Sequence, residues 1–127
     1  MRMDFLGKAS DGGESPTLYA TKSSYIIQGY VVSDSDLLTT LDIASDETVV
    51  EVYARLLDFL AEDGVTGTVA AWASPVVHVR NNGNLIIRGR RLADTATRQR
   101  MALPDHEDAI EVPKAALQTL FQGALCT

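Results

Sequence analysis

The sequence predicts an α+β domain made from an internally duplicated ββαβα unit with pseudo-two-fold symmetry, its mixed β-sheet or sheets packed by short helices. Three observations predict it: self-similarity between two segments, β-rich hairpin patterns in both, and an aspartate before a short helical segment in each. Residues 24–60 can be laid without a gap over residues 84–120, at an offset of 60. Nine pairs are identical: Ile26/Ile86, Ile27/Ile87, Gly29/Gly89, Asp34/Asp94, Glu47/Glu107, Glu51/Glu111, Val52/Val112, Leu57/Leu117 and Leu60/Leu120. Other matches keep apolar with apolar, as in Tyr25/Leu85, Val32/Leu92, Leu41/Met101, Ile43/Leu103 and Val50/Ile110. Two copies are too few for a solenoid and fit the fused equivalent of a symmetric homodimer.

Along the chain, residues 6–16 hold Gly7, Ser10, Gly12, Gly13, Ser15 and Pro16, and read as a flexible arm or turn, with order starting near Thr17. Thr17–Thr21 and Tyr25–Val32 are β-rich runs separated by Lys22-Ser23-Ser24, a hairpin pattern. The second copy repeats it with Val76–Arg80, a turn at Asn81-Asn82-Gly83 suited to positive φ, and Asn84–Leu92. Asp34 and Asp94 stand at N-cap positions before Ser35–Leu41 and Thr95–Met101, where a carboxylate accepts first-turn N–H bonds. Turns at Ala44-Ser45-Asp46 and Pro104-Asp105-His106 lead to strands Thr48–Val52 and Asp108–Val112. Helices follow over Tyr53–Ala61 and Pro113–Gly123, with Pro113 at a first helical position that needs no N–H. Their apolar face is Leu56, Leu57, Phe59 and Leu60 in one copy and Ala116, Leu117, Leu120 and Phe121 in the other. Val65–Trp72 is a β-prone stretch with no counterpart, an added strand or a linker. The copies span 17–62 and 76–122, joined by 63–75, within one domain of 127 residues.

Composition narrows the function classes. At 46% hydrophobic and 22% charged residues the chain can build a core. Its apolar runs, such as VVEV and TVAAWA, fall short of the roughly 20 residues a membrane span needs. The N-terminus carries no secretory apolar segment, so the expected location is the cytoplasm. Cys126 is the single cysteine, which rules out an internal disulfide and argues against a Cys-based metal site. Net charge is −6, opposed to general nucleic-acid affinity, but unevenly spread. Residues 1–63 hold four basic and twelve acidic side chains, net −8; residues 64–127 hold seven and five, net +2.

The chemistry-bearing candidates are few. Arg88, Arg90, Arg91, Arg98 and Arg100 cluster in the second copy, where the first has Gln28, Tyr30, Val31, Leu38 and Thr40. On a strand Arg88 and Arg90 share a face, to which the following helix can add Arg98. Such a patch suits an acidic protein surface or self-association; without interleaved aromatics it is a poor single-strand nucleic-acid site. Glu51 and Glu111 occupy matching strand positions, and with Gly29 and Gly89 they mark a candidate cleft between the halves. Alternation turns each Glu away from its valine neighbours, toward solvent or an Arg, and glycine within a strand denotes a bulge or close approach. His78 and His106 are dispersed, and zinc spacing, a serine elbow and a phosphate loop are all lacking. No metal or other cofactor is implied.

The stretch GKASDGGESPTLYATKSSYIIQGYVV with the later DETVVEV resembles small uncharacterised actinobacterial proteins, particularly streptomycete-type ones, that read G-K-x-x-D…S-P-T-L-Y-A-T…V-Q-G. The resemblance covers about the first 60 residues. It carries no assigned activity. It implies a companion of helix-turn-helix regulators, hence a regulatory or partner-binding role. Glu-Val-Pro-Lys at Glu111–Lys114 and the paired halves are similar to swapped-hairpin transcription-factor domains, whose strand and helix order differs. The expected function is a non-enzymatic interaction module that binds a protein partner or itself through the Arg-rich half. The alternatives are a small-molecule-binding protein or enzyme with a site between the halves, and a nucleic-acid-associated regulator using the Arg face.

Overall fold

The computed structural model describes residues 3–8, 16–41, 43–53, 56, 59, 68–69, 77–79, 84–101, 103, 106–118 and 121–122. Nine strands and three short helices occur among them. The strands are β1 (Asp4–Lys8), β2 (Thr17–Ala20), β3 (Ser24–Val31), β4 (Glu47–Val52), β5 (Thr68–Val69), β6 (Val77–Val79), β7 (Leu85–Arg91), β8 (Glu107–Pro113) and β9 (Phe121–Gln122). The helices are α1 (Ser35–Leu41), α2 (Thr95–Met101) and α3 (Lys114–Gln118). This is an α+β fold.

Every described pairing is antiparallel, which corrects the expected mixed sheet. The connection through the seven-residue α1 serves as a turn-back, and β3 and β4 meet antiparallel at Tyr30↔Glu51 and Val31↔Val50.

Pairing closes on itself. β3 pairs with β8 from Ser24↔Pro113 to Tyr30↔Glu107, and β7 pairs with β4 from Leu85↔Val52 to Arg90↔Glu47. Short contacts complete the circuit: Tyr30↔Glu51 and Val31↔Val50 join β3 to β4, and Arg90↔Glu111 and Arg91↔Ile110 join β7 to β8. The four strands thus form a small ring, extended by β1 and β2 beyond β3 and by β6 beyond β7. The long pairings run between the segments 17–62 and 76–122, so the two interleave. Both members of each short β7–β8 pair lie 60 residues after a β3–β4 pair.

Alternation along the ring strands sorts the core. Tyr25, Ile27, Val50, Val52, Leu85, Ile87, Ile110 and Val112 form one buried cluster with Leu18, Leu56 and Leu117. The intervening residues face outward and meet the helices. α1 places Leu37 and Leu38 against Val49 and Ile86, while Met101 of α2 packs with Ile26 and Ala109.

Gly29 and Gly89 mark where the ring turns tightly. A Cβ on Gly29 would lie 2.7 Å from the Glu51 carbonyl oxygen, and one on Gly89 would lie 2.8 Å from that of Glu111. Their close approach is therefore to the protein's own strands.

The caps form as the sequence indicates. Leu37 N–H donates to Asp34 Oδ1 at 3.2 Å, and Thr97 N–H donates to Asp94 Oδ2 at 3.2 Å. Thr97 Oγ1 also donates to Asp94 Oδ2. That hydroxyl, with the backbone N–H and nearby positive charge, holds the Asp94 carboxyl below its ordinary value of 3.8. A depressed folded value stabilises above the unfolded pKa and is lost as pH falls through the folded one. Asp94→Ala is therefore expected to lower the thermal midpoint at neutral pH and to converge on the parent protein as pH falls through the depressed folded pKa. Asp34→Ala should cost about 1 kcal/mol. Thermal scans across pH check both.

Four expectations change. The N-terminal segment expected to precede order contains β1, which pairs with β2 from Asp4↔Ala20 to Lys8↔Thr17. The Phe5 ring meets Tyr19 edge-on at 6.0 Å, burial there raises the Tyr19 phenol pKa, and Gly7 lies on the Phe59 ring with no room for a Cβ. The helix expected over Pro113–Gly123 is shorter. Pro113 instead ends β8 opposite Ser24, Lys114 N–H donates to Ser23 O at 2.9 Å, and Phe121–Gln122 pairs with Thr68–Val69 as a separate two-stranded sheet. Within Val65–Trp72 that pairing defines β5, which does not extend the main sheet. Of the helix expected over Tyr53–Ala61, the described residues are Tyr53, Leu56 and Phe59; Leu56 and Phe59 are 3₁₀-helical, and Leu56 N–H donates to Tyr53 O at 3.0 Å. Asn81-Asn82-Gly83, Trp72 and Cys126 lie outside the described residues.

Candidate functional site

A cleft of about 540 Å³ opens where β7, β8 and the start of β4 meet. β7 supplies Arg88, Gly89 and Arg90, and β8 supplies Glu111, Val112 and Pro113. Asp46 and Glu47 form one wall, and Ser24 and Ala116 lie at the other side. Register explains this gathering. Arg90 is the cross-strand neighbour of Glu47 on β4 and of Glu111 on β8, and such neighbours share a sheet face. Gly89 brings β7 directly against the Glu111 carbonyl, with no room for a Cβ between them, which draws the arginines and Glu111 together.

The cleft carries two guanidinium groups and three carboxylates. Such a set can stack or hydrogen-bond a ligand and can accept protons from its donors. Among the described residues no group of three or more His, Cys, Asp or Glu side chains is placed to hold a metal ion. No helix among them is long and apolar enough to cross a membrane.

The expected Arg patch is divided. Arg88, half-buried, and Arg90, exposed, line the cleft. Arg98 does not join them: its Nη1 donates to Leu92 O at 2.7 Å and to Asp108 Oδ1 at 2.9 Å, tying α2 to the strands on either side of it. Arg91 lies on the opposite strand face from Arg88 and Arg90, and Arg100 is exposed on α2. The expected cleft is likewise divided. Gly89 and Glu111 line it, whereas Gly29 and Glu51 do not. Glu51 instead accepts from Asn84 Nδ2 at 2.9 Å.

Sixty residues away from the cleft-lining positions lies a second cluster, and it is filled. Tyr30 and Tyr53 meet edge to face at 6.0 Å with their hydroxyls 3.4 Å apart, and the His106 ring stacks on Tyr30 at 6.2 Å. Beneath them the wholly buried Glu107 accepts from Gln28 Nε2 at 3.0 Å, and its Oε2 lies 3.5 Å from His106 Nε2. Leu56 is fully buried.

Comparison with family models, curated proteins and solved structures finds no match to this chain.

Sequence reasoning reached Arg88, Gly89, Arg90 and Glu111 but missed Ser24, Asp46, Glu47, Pro113 and Ala116. Glu47 and Glu107 carried a usable signal, being identical at the offset of 60. The others depend on the interleaving of strands, which composition and period do not reveal.

Proposed function

We propose that this chain is an internally duplicated, pseudo-two-fold binding module of the cytoplasm, non-enzymatic, which holds a protein partner at the cleft through Arg88 and Arg90. The observation that carries the reading is the cleft itself, where both arginines stand at an opening within the 300–1,000 Å³ range typical of ligand sites. The duplication draws support from the strand register. The pairs Tyr25↔Val112 and Tyr30↔Glu107 become Leu85↔Val52 and Arg90↔Glu47 when each member is moved by 60 toward its counterpart. Gly29 and Gly89 also abut equivalent atoms, the carbonyls of Glu51 and Glu111. The regulatory setting follows from the resemblance to small actinobacterial proteins.

The test is retention of a partner from host lysate at low salt on the immobilised full chain, with Arg88→Glu/Arg90→Glu and Arg91→Glu compared. The double reversal is expected to lose the partner and Arg91→Glu to keep it. The double reversal places carboxylates opposite Glu47 and Glu111 and is expected to lower the thermal midpoint, so retention is compared at a temperature where all three proteins remain folded. Equal retention by all three proteins would remove the cleft arginines from the function. Sedimentation analysis alongside separates a second copy of this chain from a different protein.

A further inference from the structure

We infer that the partner is anchored in the cleft by a tyrosine side chain, an inference that rests on the binding reading above. Under the 60-residue correspondence, Tyr30, Tyr53 and Leu56 stand where the cleft has Arg90, Pro113 and Ala116. Gln28 and Glu107 stand where it has Arg88 and Glu47. The backbone frame is shared, and Gly29 and Gly89 meet the same carbonyls in it. What differs is bulk. In one half Tyr53 and Leu56 occupy the space; in the other Pro113 and Ala116 leave it open, while Tyr30 is matched by the comparably long Arg90. The volume missing from the cleft is therefore that of one phenol ring, at Pro113, and of an isopropyl group, at Ala116, laid out against the same strands.

Charge selects among aromatic occupants. Arg90 and Arg88 offer flat guanidinium faces on which a ring can stack. Asp46, Glu47 and Glu111 offer acceptors for a hydroxyl proton. A phosphorylated ring, a nucleotide or a carboxylate-rich segment would bring negative charge among three carboxylates, which two arginines do not outweigh. A neutral phenol satisfies both sets, its ring over a cation and its O–H toward an anion. In the filled half the Tyr30 ring stacks on the His106 ring and its hydroxyl lies 3.4 Å from the Tyr53 hydroxyl, so a phenol is the group this frame accommodates.

The probes are capped tripeptides Gly-Tyr-Gly, Gly-Ala-Gly and Gly-phosphotyrosine-Gly, titrated to millimolar concentration into the isotope-labelled full chain. The tyrosine peptide is expected to shift the Gly89, Val112 and Ala116 amides with saturation, about tenfold more tightly than the alanine peptide. The phosphorylated peptide is expected to bind more weakly than tyrosine. Pro113→Tyr/Ala116→Leu fills the cleft with tyrosine and leucine, as at Tyr53 and Leu56, keeps every charge, and is expected to abolish the shifts. Equal shifts from the alanine peptide, tighter binding of the phosphorylated one, or no shifts with tyrosine would each overturn the anchor. The peptide comparison on the unaltered protein decides this even where the filled variant fails to fold. Partner retention by a folded Pro113→Tyr/Ala116→Leu together with loss in Arg88→Glu/Arg90→Glu would overturn the anchor alone. Retention by both would overturn the binding reading as well.

Discussion

Alanine at Gly29 or Gly89 is expected to lower stability by about 1–3 kcal/mol each. For a domain of this size that is a fall of roughly 4–12 °C in thermal midpoint. At Gly29 the added Cβ meets Glu51 O at 2.7 Å, Val52 Cγ1 at 2.8 Å and Val50 Cβ at 3.0 Å. At Gly89 it meets Glu111 O at 2.8 Å, Val112 Cγ2 at 2.9 Å and Ile110 Cδ1 at 3.2 Å. A valine methyl can rotate away, but a carbonyl in a paired strand cannot retreat without breaking the ladder that closes the ring. Val52→Ala is therefore expected not to rescue Gly29→Ala. Unchanged midpoints in both alanine variants would mean that the strands do not close at Tyr30↔Glu51 and Arg90↔Glu111 as described.

These two glycines also measure how much the sequence disclosed. Their shared spacing identified matching strand positions, and their packing role was legible because a glycine in a β-rich run is costly unless a close approach requires it. The partner in that approach was not legible, since alternation fixes which side a residue faces and says nothing about which strand lies there. The caps at Asp34 and Asp94 were legible for the opposite reason: their hydrogen bonds reach only three residues onward. β1 escaped notice because Gly7 argues against a strand on propensity, and the contact that favours it, the Phe59 ring, is 52 residues distant. Pro113 suited a helix start equally well as a strand end, and pairing with Ser24 decided between them. Within the candidate site, Arg98 was legible as part of a basic cluster but not as the ligand of Leu92 O and Asp108, which takes it out of the cleft. Ser24 and Ala116 have no chemical signature at all and enter the site only through the fold.

Ile27→Ala and Ile87→Ala are each expected to cost about 2–5 kcal/mol, a large share of a total stability on the order of 5–15 kcal/mol. Both side chains are fully buried in one cluster. Ile27 lies between Leu18 on β2 and Ile110 on β8, and Ile87 between Val77 on β6 and Val50 on β4. Each therefore removes contacts that join residues of the segment 17–62 to residues of 76–122. Because the long pairings cross between segments, neither segment has a core it can keep when the other opens. Urea unfolding of each variant should show one transition, shifted to lower urea with an unchanged slope, and the shifts should be similar in size. Were the segments instead two independently folded halves, Ile27→Ala would lower one of two transitions and leave the other in place. That outcome would overturn the interleaved ring, and with it the basis for equating the open cleft with the filled cluster at Tyr30 and Tyr53.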